Sequence, residues 1–176
     1  MGPFREEKAA DKPFKKAYVA VLLWFVGRSI QAAAAVDSAV RRECDSLPEE
    51  FSFSLGVLPS GPWMVVGKDA RGRVRYLGSR PEGKRLGLQM KIKSVEAAFL
   101  LFTFQEGTAV ATARNRLVVD GDVSAACAVV RILDAVEVYL LCKPLARLAV
   151  KRYPDWPLGR KLAGRARIYL RAVLGR

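Results

Sequence analysis

The apolar residues of this chain change period at Phe51. Before it, Ala17, Val21, Trp24, Arg28 and Ala32 recur at helical steps within a run read as one helix from about Pro13 to Cys44. From Phe51, F-S-F-S-L-G-V-L alternates apolar and polar residues with a period of two, which is the signature of a half-buried strand. Further strands are read at W-M-V-V (Trp63 to Val66), R-V-R-Y-L (Arg73 to Leu77), L-Q-M-K-I-K (Leu88 to Lys93), which alternates again, and R-L-V-V-D (Arg116 to Asp120), separated by Pro-, Gly- and Asp-rich turns. Helical segments lie between and after these strands. Ser94 is placed to cap a helix to about Phe104, ended by Gly107, with Thr108 to Asn115 a short helix. Val123 to Leu141 is a long one, its apolar stripe read as Val123, Cys127, Val130, Leu133, Val136 and Leu140, with Arg131, Asp134 and Glu137 on a wetter face. The expected fold is α+β: a mostly antiparallel sheet of about five strands covered by helices, with extra N-terminal and C-terminal helices.

The chain divides into three parts on this reading. Residues 1–46 form an N-terminal helical extension, 47–145 the sheet-and-helix domain, and 146–176 a basic C-terminal helical segment packing on that domain. The last segment is amphipathic, with Leu158, Leu162, Ala166, Tyr169 and Val173 on one side and Arg160, Arg167 and Arg171 opposite. The N-terminal apolar run A-Y-V-A-V-L-L-W-F-V-G leaves three readings open: a buried or partner-covered helix, a membrane-associated anchor, and a cleaved signal. Arg28 directly after the run argues against the signal, and eleven residues are too few to cross a bilayer. Whether residues 1–46 pack on the domain is not decided by sequence.

The chemistry available is narrow. There is no histidine, which removes imidazole bases, the nucleophile pairs that depend on them, and His-ligated metal sites. Cys44, Cys127 and Cys142 have no C-x-x-C spacing and read as buried apolar thiols in a reducing compartment. Gly78 to Lys84 matches G-x-x-x-x-G-K, but Arg85 stands where a hydroxyl must hold magnesium, and the loop runs into a strand instead of a helix. Asp120 and Asp122 flank Gly121 and read as turn and cap residues, Asp122 opening the long helix. No catalytic set and no cofactor is expected.

Charge is concentrated. Of the +13 formal charge, residues 61–93 carry nine Lys or Arg and two acids, and residues 151–176 carry eight against one. Arg73, Arg75, Lys91 and Lys93 point opposite to Val74, Tyr76, Met90 and Ile92, so one sheet face is expected to be a basic plate. The plate offers no exposed aromatic residues for stacking bases, which makes nucleic acid an unlikely partner and an anionic membrane surface a better one.

Phe51 to about Lys143 resembles the sterol carrier protein type 2 family, small lipid-binding domains. The likeness lies in early alternating strands, the strand leading straight into an apolar helix (L-Q-M-K-I-K-S-V-E-A-A-F-L-L-F), a glycine and short helix, then L-V-V-D-G-D and a long apolar helix. The resemblance implies an apolar tunnel between sheet and helices for an acyl chain, a sterol or an isoprenoid, and no enzymatic activity. The candidate ligand-binding residues are Phe53, Leu55, Trp63, Val65, Met90, Phe99, Phe102, Val130, Leu133 and Leu140, together with Phe104. The candidate surface contacts are Arg73, Arg75, Lys91, Lys93, Arg160, Arg167 and Arg171. The expectation is a non-enzymatic lipid-binding or lipid-transfer protein of the bacterial cytoplasm, with a peripheral association with the membrane left open. Open alternatives are an accessory factor in quinone or lipid metabolism, a scaffold that dimerises through the N-terminal helix, and a core that its own side chains fill.

Overall fold

A computed structural model describes residues 13–103, 105–140 and 158–174. Five strands, β1 (Ser52–Val57), β2 (Trp63–Lys68), β3 (Val74–Gly78), β4 (Leu88–Ile92) and β5 (Leu117–Gly121), form one sheet in the order β3-β2-β1-β4-β5. Every neighbouring pair is antiparallel except β1 with β4, which run parallel. The register sets Phe53, Leu55 and Val57 beside Leu88, Met90 and Ile92, and all six are buried on one face. Met64 and Val66 of β2 continue that face on one side and Leu117 of β5 on the other. This is the expected α+β architecture.

Helices cover the apolar face: α1 (Pro13–Val36), α2 (Ser38–Asp45), α3 (Val95–Phe102), α4 (Thr108–Ala113), α5 (Val123–Leu140) and α6 (Leu158–Leu174). The open question about the N-terminal segment has an answer for residues 13–45. α1 lies on β2, β3, α3, α5 and α6, and buries Val19, Leu23, Ile30 and Ala33 completely. Gly27 permits the close approach, since a Cβ there would stand 2.6 Å from the Tyr76 ring. The Tyr76 amide donates to Gln31 Oε1 at 2.9 Å, tying the helix to the sheet edge. α1 is long and apolar enough to cross a membrane, yet half of its most apolar stretch is buried within the fold.

Several sequence expectations are corrected. The single helix to Cys44 is two, because Asp37 is extended and its carboxylate accepts from the Ala39 and Val40 amides, capping a new helix. Its other oxygen accepts from the Tyr139 hydroxyl of α5, so one side chain ends α1, starts α2 and anchors α5. α3 stops at Phe102, and Gly107 opens α4 instead of closing α3. The buried side of α5 is Ala125, Ala126, Ala128, Val129, Ile132, Val136, Val138 and Tyr139, whereas Val123 and Cys127 are exposed. Small alanines win the contact with the neighbouring helices because they let backbones approach. In α6 the buried residues are Ile168 and Ala172, while Ala166 and Val173 face solvent. Ser94 and Asp122 cap their helices as expected, accepting from the Ala97 and Ala125 amides. Cys44 is buried, and burial pushes its thiol up to about 11. Phe104, Cys142 and the boundary at residues 145–146 lie outside the described residues, as do the side chains of Leu158 and Leu162.

Candidate functional site

The sheet and its helices do not close on each other completely. Between them is a cavity of about 430 Å³, in the ~300–1,000 Å³ range of small-molecule sites. Leu55 and Met90 form its floor. α1 supplies Tyr18, Leu22, Phe25 and Val26, and α5 supplies Val130, Leu133, Asp134, Glu137 and Leu140. The third wall is the α3–α4 corner, with Leu101, Phe102, Glu106 and Thr108. The lining arises from helix geometry: Val130, Leu133, Asp134 and Glu137 follow at three- to four-residue steps, so they share one side of α5. At the rim, Phe25 stacks on Tyr169 of α6 with ring centroids 5.5 Å apart, and the Tyr169 hydroxyl donates to the Leu140 carbonyl at 2.9 Å. Arg28 Nε donates to the Ala172 carbonyl at 2.9 Å, binding the last turn of α6 to α1.

Three acids line this apolar space. Glu106 is 8% exposed and forms an ion pair with Arg116, with Arg114 Nη1 3.5 Å from its Oε1. Asp134 and Glu137 make no ion pair or hydrogen bond with the described residues. Burial raises both carboxyls, and for Glu137 the neighbouring Asp134 charge adds to it, taking the group to about 7. The sequence places these two on a wetter face because period analysis counts charge as exposure; the structure turns them into the cavity.

Of the sequence-derived ligand-binding residues, Leu55, Met90, Phe102, Val130, Leu133 and Leu140 meet around the cavity. Phe53 lies one step along the same sheet face, beside a second void of only about 10 Å³ that it shares with Ile30, Cys44 and Ile132. Val65 pairs with Ser54 and so points to the opposite face of the sheet from Leu55. Trp63 sits over Gly56 on that same opposite face. Phe99 packs edge-on to Tyr18, with Lys15 Nζ 4.8 Å from its ring centre, outside the cavity lining. Missed by sequence reasoning were the α1 residues and the acids. The apolar turns of α1 were visible, but nothing in them said which element they would cover.

The basic residues do not form one plate. β3 and β4 are separated by β2 and β1, so Arg75 and Lys91 share a face but are offset by about 14 Å across three ~4.8 Å strand spacings, and further along the strand direction, Arg75 lying in the row of Ser52 and Lys91 in that of Gly56. Arg73 and Arg75 are drawn to Asp69 at 3.0 and 3.5 Å, and Lys91 to Asp120 at 3.0 Å. Hydrogen bonds, first from the Arg73 amide, hold the Asp69 carboxyl down to about 2. Lys93, Arg167 and Arg171 are exposed, and the Arg160 side chain lies outside the description. Among the described residues no group of three or more Cys, Asp and Glu side chains is placed to hold a metal ion.

Compared with known proteins, the chain matches no family model and no curated protein. Among solved structures it is similar to the ubiquinone synthesis protein UbiJ-SCP2, at 17% identity over 71% of this chain and 97% of that one, with a TM-score of 0.44. It is also similar to sterol carrier protein 2 like 2 from Aedes aegypti, at 9% identity over 67% and 95% with a TM-score of 0.41. A third similarity is to sterol carrier protein domain 2 of Helicoverpa armigera, at 15% identity over 73% and 94% with a TM-score of 0.41.

Proposed function

We propose that this protein binds a lipid, carrying its chain in the cavity between β1, β4, α1, α5 and the α3–α4 corner, without catalysing a reaction. The observation that carries this reading is the cavity itself: an apolar space of about 430 Å³ that this chain's own large side chains leave unfilled. Retention needs only burial. A ten-carbon chain moved from water gains roughly 8 kcal/mol at ~0.8 kcal/mol per methylene, before the costs of association are subtracted. The proposed setting is the bacterial cytoplasm, peripheral to membrane. Support for that setting comes from α6, where exposed Leu170, Val173 and Leu174 lie among Arg167 and Arg171, an arrangement suited to an anionic lipid surface.

The test is mass spectrometry of an organic extract of the freshly purified full chain, with an equally basic protein of unrelated fold as the control for surface lipid. A near-stoichiometric lipid absent from the control is the expected result. A clean extract, joined to no measurable uptake of added single-chain lipids, overturns the proposal.

A further inference from the structure

The cavity carries chemical information beyond its volume, because its charged lining groups are all acids, beside the hydroxyls of Tyr18, Thr103 and Thr108. Among the described lining residues there is no Lys or Arg, while Glu106, Asp134 and Glu137 all face in. Arg116 and Arg114 offset the charge of Glu106. Even so, Glu106 Oε1 is buried without a hydrogen-bond donor. Asp134 and Glu137, one turn apart on α5, are acceptors that take no hydrogen bond or ion pair from the described residues. Other cations of α1 and α5 are engaged elsewhere: Lys15 with Glu96, Arg28 with α6 carbonyls, and Arg131 with Glu43.

An acceptor held away from water without a donor is costly, fully so for the buried Glu106 Oε1 and in part for the half-buried Asp134 and Glu137. A ligand that brings donors to this wall recovers that cost. A ligand that brings a carboxylate or phosphate places like charges together where little water screens them. From this we infer that the cavity selects lipids whose polar end donates hydrogen bonds and carries no negative charge, an amine or hydroxyl head, with Asp134 and Glu137 as the specificity-determining residues and Glu106 Oε1 as a further acceptor. The inference rests on the lipid-binding reading and deepens it by naming the head.

The experiment is calorimetric titration of the full chain with decylamine, decanol and decanoate below their micelle concentrations. The chain is constant and only the head changes. Decylamine and decanol are expected to bind at least about ten-fold more tightly than decanoate, the equivalent of ~1.4 kcal/mol. In Asp134→Asn/Glu137→Gln the gap should shrink to about three-fold or less, mainly through tighter decanoate binding. The substitutions break no hydrogen bond or ion pair among the described residues, so folding is not threatened, and Glu137→Gln alone provides a milder variant with half the effect. Decanoate binding as tightly as the other two overturns the inference and leaves the lipid-binding reading standing, as does a gap unchanged in both variants. Failure of all three to bind overturns the lipid-binding reading, and the inference with it.

Discussion

Replacing Glu137 by Gln is expected to stabilise the protein, and only on the alkaline side. Burial, reinforced by Asp134, moves this carboxyl from 4.5 to about 7. Below about pH 4.5 the group is protonated in both folded and unfolded chains and contributes nothing. Between about 4.5 and 7 the folded chain holds the proton that the unfolded chain has released, so stability falls as pH rises; above 7 the loss is complete and constant. At ~1.4 kcal/mol per pH unit the ceiling is about 3 kcal/mol. Glu137 keeps some solvent access through the cavity, which reduces the realised loss to about 1–2 kcal/mol. The titratable groups that share the cavity lining with it are Tyr18 from α1, Glu106 from the α3–α4 corner, whose charge Arg114 and Arg116 offset, and Asp134 from its own helix. Glutamine keeps the shape and loses the charge. Urea unfolding at about pH 8 should show the variant more stable by about 1–2 kcal/mol, or ~2–8 °C in Tm for a chain of this size, with the difference gone near pH 4.5. A variant no more stable than the parent at pH 8, or equally stabilised at both pH values, would refute the placement of Glu137 in a desolvated acidic wall.

Three further outcomes test other parts of the structure. Asp37→Ala removes both the α2 cap and the acceptor for Tyr139, and should cost about 2–3 kcal/mol in chemical denaturation, with Asp37→Asn costing clearly less. Gly121 has φ +133, and a Cβ there would lie 2.5 Å from the Gly87 carbonyl oxygen, so Gly121→Ala should lower stability by about 2 kcal/mol or more. Val130→Trp pushes an indole into the cavity from α5; lipid uptake should be lost while the circular dichroism spectrum is kept, and uptake at the parental level would place the ligand elsewhere.

Much of the fold was legible because local signals agreed with each other. Alternation located β1 and β4, a short apolar run closed by Gly121 located β5, and the caps at Ser94 and Asp122 located two helix starts within a residue. A third of the cavity lining was also legible, since Leu55 and Met90 had to point to one face of their strands and Phe102, Val130, Leu133 and Leu140 were large apolar residues on helices meant to cover it. Where reading failed, two local rules gave equal answers. Asp37 in a run of alanines is as acceptable inside a helix as at its start until Tyr139 arrives to share it. Val65 and Val66 are both apolar, so the strand pattern does not say which faces the helices; pairing with Ser54 decides.

What the sequence determined by itself was the set of elements, the absence of imidazole chemistry, and the site of the basic excess, because each depends on residue type and near-neighbour spacing. What only the tertiary structure decided was which elements meet. A two-strand separation split the basic residues of β3 and β4 that spacing alone had joined. The roll of α5 about its axis was set by alanines packing closely against neighbours, and it carried Asp134 and Glu137 from an expected solvent face into the cavity. Burial energies between elements far apart in the chain fix such choices, and no local window of sequence contains them.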